Sequence, residues 1–76
     1  MPELPIVKPK QVIRALEKLG FVKIRSKGSH IQMKKSNLLA TIPVHNRDLN
    51  KSTLKSILRQ AKLTIEEFNE NLLQVA

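Results

Sequence analysis

Between Pro9 and Leu19 the apolar residues Val12, Leu16 and Leu19 recur at i, i+4 and i+7, with Ile13 and Ala15 alongside, a period that predicts an amphipathic helix. Pro9 suits its first position and Gly20 its left-handed stop. The period then changes. Phe21 to Ser26 alternates, with Val22 and Ile24 on one face and Lys23 and Arg25 on the other, which predicts a half-buried strand. Lys27-Gly28 supplies a turn. Residues 29 to 34 alternate again, Ile31 and Met33 facing one way and His30, Gln32 and Lys34 the other.

Lys35-Ser36-Asn37 marks a second turn, and Leu38 to Val44 a third strand with Ala40, Ile42 and Val44 on a common face. Pro43 donates no amide proton, so this strand should end at a sheet edge or exit. After the polar stretch His45-Asn46-Arg47-Asp48, the residues Leu54, Ile57, Leu58 and Ala61 form the stripe of a second helix, capped by Asn50 or Ser52. Thr64-Ile65-Glu66-Glu67 has the spacing of a capping box at the start of a short last helix, which Phe68 and Leu72 would dock.

The expected architecture is therefore one α+β domain over residues 1–76. Its order is α-β-β-β-α with a short C-terminal helix, and both long helices cover one face of a three-stranded antiparallel sheet. That order is the layout of a double-stranded RNA-binding domain, which reads duplex RNA by shape, phosphate and 2′-hydroxyl contacts. A chain of 76 residues makes only a small core, so a partner would help to hold it.

Charge points the same way. Fourteen Lys and Arg against six Asp and Glu leave a net charge of +8, which favours a polyanion or an acidic protein surface. There is no Tyr or Trp, and both Phe have core positions in the pattern, so base-stacking platforms are not expected and phosphate contact should dominate. The chain has no cysteine, and its two His and six carboxylates show no metal-ligand spacing, so no cofactor and a metal-independent chemistry are expected. No apolar run approaches a membrane span and the first residues do not form a signal peptide, which predicts a cytoplasmic protein without a membrane partner.

The candidate chemistry lies at Gly28-Ser29-His30. An imidazole titrates nearer neutrality than other side chains, so one His beside an anionic polymer can move a proton. On the alternation above, Lys23, Arg25 and Lys34 share the open face with His30, where they would hold a phosphate and offset charge developing on its oxygens. Lys27 flanks the turn. Ser29 would orient His30, donate to a phosphate oxygen or stabilise the turn, and Gly28 would supply positive φ. His45 is the second histidine and a candidate acid, or a residue that bonds only within its loop. Arg47, Lys51 and Lys55 would extend the basic surface.

Leu16-Glu17-Lys18-Leu19-Gly20-Phe21, Arg25, Lys27-Gly28-Ser29-His30, Ile42-Pro43-Val44-His45, Thr53 to Ala61 and Ile65-Glu66-Glu67-Phe68 together resemble the HicA family of mRNA interferase toxins. The resemblance spans nearly the whole chain and departs at Ser52, where relatives commonly carry Gly. It implies a type II toxin-antitoxin system, translation-independent cleavage of mRNA, a catalytic role for His30, and a HicB-type antitoxin that occludes this histidine. The alternative from another class is a noncatalytic double-stranded RNA-binding module using the same basic face. A DNA-binding regulator is disfavoured, because the sheet separates the long helices and no helix-turn-helix is visible.

Overall fold

The computed structural model describes residues 4–72. Its elements are α1 (Pro9–Lys18), β1 (Val22–Lys27), β2 (His30–Lys35), β3 (Leu38–Pro43), α2 (Lys51–Ala61) and α3 (Ile65–Leu72), with the strands antiparallel in the order β1-β2-β3. This is the expected α+β arrangement. Among the described residues no helix is long and apolar enough to cross a membrane.

The helix starts and the end of α1 have local causes. Pro9 opens α1, and the Lys8 amide donates to Gln11 Oε1 at 2.9 Å. At its far end Gly20 has φ +103°, while Phe21 N–H donates to the Leu16 carbonyl and Gly20 N–H to that of Glu17, the paired bonds of a Schellman stop. Lys35 Nζ donates to the Leu19 carbonyl at 2.7 Å, so this lysine also caps α1.

Asn50, rather than Ser52, caps α2: its Oδ1 accepts from the Thr53 amide at 3.3 Å and from the Thr53 hydroxyl at 2.7 Å. α2 stops at Lys62, which is left-handed at φ 54° without being glycine. The capping box at α3 is present, with Glu67 N–H donating to Thr64 Oγ1 and Thr64 N–H to Glu67 Oε1, both at 3.0 Å.

α1 and α2 pack on the β3 side of the sheet, and α3 packs on α1. Met33, Ala40 and Ile42 from the sheet meet Val12, Leu16, Leu54 and Phe68 from the helices in one buried core, and both Phe belong to it. Gln60 of α2 accepts the outward Thr41 amide through Oε1 at 2.9 Å, satisfying part of the β3 edge. Pro43 ends this edge strand, as its missing amide proton predicts.

β1 departs from the simple alternation. Its pairing with β2 runs Val22 with Lys34 and Lys23 with Met33, then skips Ile24 and resumes with Arg25 opposite Gln32. One extra residue in the strand shifts the phase of every side chain beyond it. Partners across an antiparallel ladder share a face. Lys23 therefore lies on the helix side with buried Met33, while Val22 lies on the open side with Lys34. The expectation that Val22 and Ile24 form a buried face is corrected: they are 60% and 52% exposed, and β1 is exposed throughout.

Candidate active site and basic surface

A two-residue turn joins β1 to β2, with Lys27 and His30 paired across its base. Gly28 at its first central position has φ +58°, whereas Ser29 has no positive φ, the pattern of a II′ hairpin. A Cβ at Gly28 would meet nothing within 4 Å, so backbone conformation rather than space selects glycine. The Ser29 carbonyl accepts from Val44 N–H at 2.6 Å, which ties the turn to the end of β3.

His30 is thereby held at the first position of β2, exposed, between Lys27 on one side and Pro43 on the other. Gln32 follows on the same face, flanked by Arg25 and Thr41, and then Lys34, flanked by Val22 and Leu39. Lys27 is thus the cation next to His30, and Arg25 stands one row further. Lys34 is four residues along the strand, about 13 Å at the usual rise. It can contact a polyanion but not the group His30 touches.

Lys23 is the exception among the expected contacts. The skipped residue at Ile24 puts it on the other side of the sheet from His30, where it lines a cleft of about 360 Å³ with Arg14 and Glu17 of α1. Lys10 and Arg14, which the strand alternation did not bring to notice, stand in this cleft too. Their signal was present in the helix: 10, 13, 14 and 17 make one face at a 3.6-residue period.

His45 lies in the loop after β3, and its Nδ1 accepts from Arg47 N–H at 3.2 Å. A neutral ring that accepts at Nδ1 carries its proton on Nε2. His45 also forms a wall common to two clefts, one of about 360 Å³ with Lys8 and Lys10, the other of about 340 Å³ with Arg47, Asn50 and Thr53. Among the described residues no polar or charged side chain is buried, and no group of three or more His, Asp or Glu converges to hold a metal.

The architecture is that of a small basic α+β domain with an exposed histidine on its first hairpin. A family model for the HicA toxin of bacterial toxin-antitoxin systems matches residues 9–63, a span that includes every strand and both long helices. The chain is also similar to a protein in a solved toxin-antitoxin complex from Streptococcus pneumoniae, with 38% identity over 78% of this chain and 100% of that one and a TM-score of 0.61. Among curated proteins none matches. The chain belongs to the HicA toxin family.

Proposed function

We propose that the protein is the toxin of a type II toxin-antitoxin system and cleaves mRNA without the ribosome, with His30 as general base. The observation that carries this reading is the placement of His30, exposed at the head of β2 with Lys27 as its cross-strand neighbour, in a chain of the HicA toxin family.

In the proposed reaction the neutral imidazole takes the proton of an RNA 2′-hydroxyl. The 2′-oxygen bonds to the adjacent phosphorus, the bond to the 5′-oxygen breaks, and solvent supplies the proton to that oxygen. The products are a 2′,3′-cyclic phosphate and a 5′-hydroxyl. Lys27, with Arg25 a row away, offsets negative charge on the phosphate oxygens, and Lys34 holds a more distant part of the strand. Gly28 sets the turn, and Ser29 is a candidate donor to the phosphate.

One positioned base contributes about 10² to 10⁴ in rate, so catalysis by a single His is modest unless the cations assist it. A HicB-type antitoxin is the proposed partner, and the net charge of +8 favours an acidic face on it.

The test is purified protein with purified RNA in EDTA, followed by end-group analysis. Cyclic phosphate and 5′-hydroxyl ends are expected, and the His45→Ala protein run in parallel reports whether that ring supplies the second proton instead of solvent. Binding without product would favour the noncatalytic RNA-binding module, and cleavage lost in EDTA would point to a cation-dependent reaction.

A further inference from the structure

Three clefts adjoin one another around α1 and the end of β3. The one between α1 and the β1–β2 hairpin shares Lys10 and Val44 with the cleft at the start of α1, and that second cleft shares His45 with the third. Taken in that order, their lining residues mark out a path, called the trough below, along α1, past the end of β3 and on to the start of α2. Three cations, Lys10, Arg14 and Lys23, stand on its first section, and half-buried Ile13 and Ile31 with exposed Val44 give that section an apolar floor. Glu17 closes the far end.

The trough adjoins the proposed catalytic histidine without containing it. Val44, on the floor, donates its amide proton to Ser29, the residue before His30, and Ile31 is the residue after it. A chain leaving the trough at Val44 has only the end of the sheet to cross to reach the open face. Beyond that point His45 presents an Nε2–H, its Nδ1 being engaged by Arg47.

An apolar floor beneath a cationic rim suits an unpaired strand better than a duplex. Single-strand grooves combine charges that track the backbone with apolar surface for bases or sugars, whereas an A-form duplex turns its bases inward and offers mainly phosphates and 2′-hydroxyls. Because the floor is aliphatic, binding should be mostly electrostatic and tolerant of sequence.

We propose that this trough seats a single unpaired RNA strand, its phosphates on Lys10, Arg14 and Lys23 and its bases or sugars on Ile13, Ile31 and Val44, and delivers it over the Ser29–Val44 junction to His30. The proposal rests on the nuclease reading for the identity of the polymer, and it adds the substrate's strandedness and a second set of contacts away from the open sheet face.

Binding measured in the His30→Ala protein keeps the two readings separable, since cleavage is then not the readout. A 12-nucleotide single-stranded RNA and the duplex of the same sequence are titrated over a range of salt. The single strand should bind at least about tenfold tighter than the duplex at moderate salt. Lys10→Ala with Lys23→Ala should weaken single-strand binding about tenfold and reduce the slope of log affinity against log salt by about 1.4, two contacts at about 0.7 each. Both side chains are exposed, so the fold should persist, with circular dichroism as the check. Lys62→Gly, which removes a charge at the far end of α2, should leave affinity within about twofold. Equal or tighter binding of the duplex, an unchanged slope in the double variant, or no binding of either RNA would overturn the trough. Loss of cleavage in the unmodified protein with the single-strand preference intact would instead overturn the nuclease reading alone.

Discussion

The two edges of the sheet are built differently. β3 lies under α1 and α2, buries Ala40 and Ile42, and has its outward Thr41 amide bonded by Gln60. β1 is exposed along its whole length, skips a residue at Ile24, and carries Lys23, Arg25 and Lys27. A protected edge adds packing to the core. A basic, bulged edge discourages pairing with another strand and leaves cations free for a polyanion. In this molecule the side of the sheet that holds the fold together is the side opposite its densest charge, and His30 sits on the central strand between them.

Substitutions on the two sides should therefore separate stability from activity. The largest stability effect is expected from Ile42→Ala, about 2–5 kcal/mol in urea unfolding, because the side chain is fully buried. Ile24→Ala on β1 should stay within about 0.5 kcal/mol. Equal losses at the two sites would show that β1 carries as much of the core as β3.

Gly28→Ala should cost about 1 kcal/mol by forcing a side chain into the left-handed region, and should lower RNA cleavage further by moving Ser29 and His30. Cleavage unchanged beside that loss would detach the turn from the site. The smallest effect is expected from Gln60→Ala, about 0.5 kcal/mol, since water can reach the amide it bonds. A loss well above that would make the capped edge a larger part of the stability than its burial suggests.

The helices were legible in the sequence because periodicity and caps agree there: Pro9 and Gly20 bound α1, and the Thr64–Glu67 box opens α3 where its spacing predicts. β1 was only partly legible. Nothing in Val22-Lys23-Ile24-Arg25 marks a skipped residue, and a period of two read through it assigns Lys23 and Val22 to the wrong faces. Their apolar character also does not say that Val22 and Ile24 lie beyond the helices' reach. The first hairpin could be read because Gly28 marks it, but its central residues are Gly28 and Ser29, one place beyond the expected Lys27-Gly28, since Lys27 still pairs with His30. The cleft of Lys10, Arg14 and Lys23 could not be read, since it joins α1 to a strand residue whose face is set by the register shift before Arg25.

Whether the exposed imidazole of His30 performs the chemistry is decided by the cleavage rate of His30→Ala against the unmodified protein on one RNA, at equal thermal stability. A loss of about 10²-fold or more with an unchanged unfolding midpoint is expected, since His30 is exposed. Full cleavage by the His30→Ala protein would contradict that role.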